Sequence, residues 1–297
     1  MTEHPRAPFA GWAPTSPCTP DCLPDRGPVA SRVRIAVRAV ALIVSLLGAV
    51  LGTPVLPARL RDRWLRVCSR ACLRSAGVRL RVVGSDRFTE PGSGVLVVAN
   101  HLSWIDVLVL DAVQPVRVLA KREVREWPVI GGLAARTGAL FVDRAELHAL
   151  PATVAATTDA LRAGAVVGVF PEGTTWCGSA AGRFHRAAFQ AAIDAGVPVQ
   201  PVAITLRHAD GTIAGGAAFV GDQTLLDSLM RVLRMPELVC ELTMLPSIPA
   251  GSAIDRRDLA RRAGEAVGGV TGVRHGIVPV PVLVDLVPVP VRDAAAA

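Results

Sequence analysis

Two polar groups interrupt the apolar stretch VLVVANHLSWIDVLVL, residues 95–110. Asn100-His101 ends one apolar run, and Asp106 is set into the next. Burying an ionisable side chain without a partner costs several kcal/mol, roughly, so both need a reason. On one helix, positions five apart lie about 140° around the axis and do not share a face. Pairing therefore requires His101 to precede a helix and Asp106 to turn back from its first turn. An imidazole held by a carboxylate on one nitrogen presents the other as a general base. Taken alone, the spacing reads first as a capping Asn or His with a first-turn Asp favoured by the helix dipole.

Three further stretches carry similar interruptions. In GALFVDR, 138–144, an apolar run ends at Asp143-Arg144, and a cation there can grip a phosphate or carboxylate. In VFPEGTT, 169–175, Glu172, Gly173 and Thr174 offer an acceptor, a permissive turn and donors. In AGVPVQPVAI, 195–204, a helix ends at Gly196 before a Pro-bearing strand. Each alone also reads as a plain turn or a structural segment.

The elements that must position these groups follow a β/α rhythm. Apolar, β-rich runs occupy 95–99, 116–120, 139–142, 165–170 and 197–204, with a later one at 237–245. Helical stretches occupy 104–113, 124–136, 153–163, 187–195 and 255–267. The alternation predicts an α/β fold, a mixed, mainly parallel sheet flanked by helices, with reactive groups just past strand ends.

An N-terminal helical element precedes this body. Residues 39–58 carry no charge, but Pro54 and Pro57 leave 39–53 as the helical part, about 22 Å and short for a bilayer. Arg flanks both ends, so there is no positive-inside asymmetry; the simpler reading has both flanks on the cytoplasmic side and the helix dipping into one leaflet. Arg59, Arg63, Arg66, Arg70 and Arg74 then recur at helical spacing beside Leu60, Trp64, Val67 and Ala71, a pattern for lying on anionic lipid. Residues 29–88 hold twelve Arg against two Asp in a chain of net charge +7. No aromatic interleaving or nucleic-acid motif accompanies that charge. The expected organisation is a Pro-rich leader at 1–28, the membrane-associating element at 29–77, a body at 78–270 and an extended, Pro-spaced tail at 271–297.

Composition adds two points. Of 32 basic residues one is Lys, Lys121; a position that needs a compact ammonium would explain it, as would chance. Six Cys include Cys18 and Cys22, a pair without a His at zinc-ligand spacing, so scattered reduced thiols are the expectation and no metal site is assigned.

Together, in order and spacing, the four interrupted stretches resemble the glycerolipid acyltransferases of the 1-acylglycerol-3-phosphate acyltransferase type, over residues 80–207. The resemblance implies a catalytic dyad of His101 and Asp106. It implies acceptor binding by Arg144, Glu172, Gly173 and Thr174, Pro198 in an apolar wall, and Lys121 as a residue shortly after the strand following the first motif. It also implies a lysolipid acceptor, acyl-CoA or acyl-carrier protein as co-substrate, no bound cofactor, and an N-terminal seat on the membrane. Many members that form phosphatidic acid carry Arg where this chain has Thr175; its Glu-Gly-Thr-Thr form is similar to branches acylating other lysolipids, including lyso-ornithine lipids. Rival expectations are an acyl-lipid or thioester hydrolase using the same dyad with water, and a membrane-binding module without catalysis.

Overall fold

The structure, a computed structural model, describes residues 15–23, 29–128, 130–142 and 147–276. Two long helices come first. α1 (Arg32–Val55) starts where the Ser31 hydroxyl accepts the Arg34 N–H at 3.3 Å. It is longer than the sequence reading allowed. It takes in the flanking arginines at one end, and at the other Pro54 falls in its last turn, where it forfeits one helical hydrogen bond but leaves a single helical residue beyond it. At 24 residues it is long and apolar enough to cross a membrane, by length and composition.

α2 (Ala58–Ser75) folds back along α1. Trp64 makes the joint: its indole N–H donates to the Gly48 carbonyl at 3.2 Å, and its ring lies so close to Gly52 that a Cβ there would meet it at 2.4 Å. The buried face of α2 is Leu65, Cys68, Cys72 and Leu73, while Leu60 and Val67 are exposed. Leu60 and Val67 of the stripe read from spacing thus stay on the outer face, while Trp64 turns to α1.

Arg38 ties this hairpin to the body. Its guanidinium donates to the carbonyls of Leu233 (3.0 Å), Met235 (2.5 Å) and Pro236 (2.6 Å) at the C-terminal end of α7 (Leu225–Arg234). A helix end leaves such carbonyls without intrahelical donors, and a cation there also meets the negative end of the dipole.

The body is a seven-stranded sheet in the order β1-β7-β6-β2-β5-β3-β4. The strands are β1 (Val78–Val83), β2 (Val95–Ala99), β3 (Arg117–Lys121), β4 (Leu140–Val142), β5 (Val166–Val169), β6 (Val199–His208) and β7 (Leu238–Met244). All neighbours run parallel except β6 and β7. Central β2 is buried on both faces. Val95, Val97 and Ala99 join the core under α3 (Ile105–Val113), and Leu96 and Val98 join the opposite core with Phe189 and Val267. Each such side chain contributes about 1.5–3 kcal/mol by leaving water. That second face is covered by α5 (Leu150–Arg162), α6 (Ala187–Ala195) and α8 (Arg256–Thr271).

The helix expected over 124–136 is broken. A 3-10 turn (Arg122–Glu126) gives way to α4 (Ile130–Arg136) because Pro128 drives Trp127 out of helical geometry, to φ −69°, ψ 129°. His275 and Gly276, placed in the extended tail by sequence, instead fold against the body, on Gly182, Ala181 and Phe184.

Candidate active site

Parallel strands put β2, β3, β4 and β5 with their C-terminal ends along one edge, where open α/β sheets gather their polar groups. At the end of β2, Asn100 acts as an extra rung of the ladder. Its amide donates to the Ile204 carbonyl at 2.9 Å and its carbonyl accepts the Ile204 N–H at 2.8 Å. This explains one of the two buried polar groups as a clamp between β2 and β6, not a helix cap.

His101 follows, and the chain turns into α3. Asp106, fully buried in the first turn, points back. Its Oδ2 accepts from the His101 ring Nδ1 at 2.8 Å, the Leu102 N–H at 2.6 Å and the Ser103 N–H at 2.8 Å. One oxygen therefore holds the ring and both backbone groups that shape the turn. With Nδ1–H donated to a carboxylate, Nε2 is left as the acceptor, the arrangement of a general base. The ring is positioned on its flat side by Phe170, stacked at 4.0 Å with planes 13° apart.

Phe170 belongs to the loop after β5. The Gly173 N–H closes a turn onto the Phe170 carbonyl at 3.1 Å with φ +77°, a left-handed value that favours glycine. Thr174 follows, half-buried. The Trp176 N–H donates to the His101 carbonyl at 2.9 Å, and the Thr175 hydroxyl is bonded to the Phe219 carbonyl. Glu172 is buried at 2% exposure beside His275, whose Nδ1 is 3.2 Å from Glu172 Oε1 and donates to the Gly182 carbonyl at 2.9 Å. Burial pushes the Glu172 carboxyl up; His275 and His101 act in the opposite direction without offsetting it.

The structure thus brings His101, Asp106, Glu172, Gly173 and Thr174 together. Lys121 ends β3, exposed, with Val142 as its neighbour across the ladder. It sits on the same sheet edge two strands from β2, about 10 Å away. Arg144 lies outside the described residues. Pro198 is not at this edge. It sits just before β6, whose Val199 is level with Leu96, so it belongs to the opposite end of the sheet from His101. Its carbonyl accepts the Leu96 N–H at 3.1 Å.

Beside the loop opens a cleft of 1180 Å³ between α5, α6 and α8, reached by Phe170 and Gly173 and lined also by Arg183, Arg186 and Arg274. Phe170 touches both this cleft and the His101 ring. Sequence spacing missed Phe170 as a ring support, Asn100 as a clamp, and His275. The first lies within a quoted motif; His275 lies after α8, where nothing local marks it.

The Acyltransferase family profile matches residues 79–205. A lyso-ornithine lipid O-acyltransferase of Pseudomonas aeruginosa is 38% identical over 215 residues, covering 71% of this chain and 78% of its own length. A 1-acyl-sn-glycerol-3-phosphate acyltransferase of Neisseria gonorrhoeae is 34% identical over 182 residues, 61% of this chain and 71% of its own. The crystal structure of the 1-acyl-sn-glycerophosphate acyltransferase PlsC from Thermotoga maritima shares the fold, with a TM-score of 0.63 at 18% identity over 81% of this chain and 94% of that one. The extent of these matches and the shared sheet establish that this chain belongs to the acyltransferase family of lysolipid-acylating enzymes and is an O-acyltransferase.

Proposed function

We propose that this chain transfers a fatty acyl group from acyl-CoA or acyl-carrier protein to a hydroxyl of a lysophospholipid of the 1-acylglycerol-3-phosphate type, at the cytoplasmic face of a membrane. The observation that carries the mechanism is the contact of Asp106 Oδ2 with His101 Nδ1 at 2.8 Å. His101 Nε2 takes the proton of the acceptor hydroxyl as its oxygen attacks the thioester carbonyl. The tetrahedral intermediate then collapses, the C–S bond breaks, and the departing thiolate takes the proton back from the imidazolium. Asp106 orients the ring and stabilises its cationic form. Lys121 and Arg144 hold the anionic headgroup, and Glu172, Gly173 and Thr174 shape the acceptor side. The chemistry uses no bound cofactor.

The membrane seat is the α1–α2 hairpin, joined to the acyltransferase body of residues 78–270. Its shaft exposes Val40, Ile43, Val44, Leu47, Leu51 and Val55, too much apolar surface for water. Both helices return to the body, α1 through Arg38 and α2 through Leu73, so the hairpin enters one leaflet by its tip. This favours the dipping helix over a full crossing.

A second acceptor has its own support. Thr175 stands where phosphatidic-acid-forming relatives of the resembled type carry Arg, and its hydroxyl is committed to the Phe219 carbonyl. That leaves one cation fewer for a phosphate and favours an acceptor such as lyso-ornithine lipid. The test offers purified protein acyl-CoA with lysophosphatidate, with lyso-ornithine lipid, and with no acceptor. Acceptor-dependent diacyl product is expected; thiol release that ignores the acceptor would establish a hydrolase instead.

A further inference from the structure

The segment 15–23 is not loose: it lies on the back of the loop that carries Glu172. Cys18, at 3% exposure, packs with Trp176, Cys177, Ala180, Ala218 and Val220 in a small core of its own. Gly221, at φ +66°, lets Pro20 approach so closely that a Cβ there would meet Pro20 Cδ at 3.2 Å. A 3-10 turn over Pro20–Cys22 then brings Cys22 round to the side of Cys18. The result is that the sulfurs of Cys18, Cys22 and Cys177 all lie within 4.8 Å of one another.

We propose that Cys18, Cys22 and Cys177 bind one zinc ion, which clasps the N-terminal segment to the active-site loop. Three features support a single ion. Tetrahedral zinc with thiolate bonds of about 2.3 Å separates its sulfurs by about 3.8 Å, within the spread seen here. A [4Fe–4S] cluster places each cysteine on a separate iron and sets the sulfurs wider. The Cys177 N–H donates to Cys18 Sγ at 3.4 Å, the kind of outer contact that steadies a metal-bound thiolate. Cys22 is exposed, so a water completes the tetrahedron from the open side. A disulfide would use two of the sulfurs and leave the third without purpose. Soft thiolates select zinc over magnesium or calcium. The ion is structural. Its link to the reaction runs through Trp176, next to Cys177, whose N–H holds the His101 carbonyl.

Full-length protein, purified in detergent without chelators after growth with added zinc, is analysed by elemental mass spectrometry. About one zinc per chain is expected for a single site. Cys22→Ser, at an exposed position outside the acyl-transfer machinery, is expected to lose it while keeping its far-ultraviolet circular dichroism; Cys68→Ser is expected to keep it. Cobalt exchanged into the native protein should give sulfur-to-metal charge-transfer absorption that Cys22→Ser lacks. Zinc-free native protein, zinc retained by Cys22→Ser, iron in place of zinc, or a disulfide among these cysteines on peptide mapping would each overturn the proposal. None of these readouts depends on acyl transfer.

Discussion

His275 Nδ1 lies 3.2 Å from Glu172 Oε1, joining the end of the described chain to the loop after β5. Both side chains are buried, and Phe184 packs its ring edge against His275 at 4.5 Å. The C-terminal segment therefore packs directly against the loop that carries Glu172. Its chemistry is legible as pH dependence. The Glu172 carboxyl titrates higher in the folded chain than the ordinary value of about 4.3. Between those two values the unfolded chain has released a proton that the folded chain still holds, so stability falls as pH rises through that window. Glu172→Gln should remove this slope: its melting temperature should gain on the native protein as pH rises above the ordinary carboxyl value. His275→Ala, which removes a group opposing the upward shift, should extend it to higher pH. Parallel melting curves for both variants would test it, and parallel native and Glu172→Gln profiles would refute it.

The His101–Asp106 geometry sets the expectation for catalysis. His101→Ala should lower kcat by roughly 10²–10⁴ with the acceptor KM nearly unchanged, since a base acts on the transition state. Asp106→Asn should lower kcat as well and also destabilise the fold, because Oδ2 accepts two backbone N–H groups besides the ring. Steady-state kinetics beside thermal melts separate the two effects. A His101→Ala protein with the native kcat would remove His101 from the role of general base.

Lys121 is expected to act on binding. Lys121→Met should raise the KM for an anionic lysolipid about tenfold, a loss of ~1.4 kcal/mol, with a smaller change in kcat. The native KM should itself rise with salt while the variant's changes less. An unchanged KM would place the headgroup elsewhere along the sheet edge.

Arg38 offers a test of the scaffold. Arg38→Met would leave the carbonyls of Leu233, Met235 and Pro236 without their donor, at a cost of ~3 kcal/mol. Gly77→Ala should be destabilising at the same spot. Its φ is +80°, and a Cβ would fall 2.3 Å from the Arg38 guanidinium carbon. Denaturant titration of both variants in detergent is the measurement. Full native stability for Arg38→Met would mean that the hairpin is held by apolar packing alone.

What the sequence determined by itself was local and periodic. Apolar runs marked β2, β5 and β7 to within a residue or two, and Pro and Gly marked their ends, because strand burial and turn chemistry are written in neighbouring residues. The His-x4-Asp spacing required a turn between its members, and Asp106 does reach back from the first turn of α3. Only the tertiary structure decided the rest. Pro128 outweighed a helical pattern over 124–136 by driving Trp127 out of helical geometry, and Pro54 was absorbed in the last turn of α1, because a proline near the end of a helix has few residues left to disrupt. Arg38, read as a membrane flank, became a cap for α7, since an orphan carbonyl can be satisfied from any distance along the chain. Asn100 found Ile204, His275 found Glu172, and Cys18 found Cys177 for the same reason. Each pairing joins residues from separate elements. No spacing along the chain encodes it, because the order of strands in the sheet, not the order of residues, sets which ends meet.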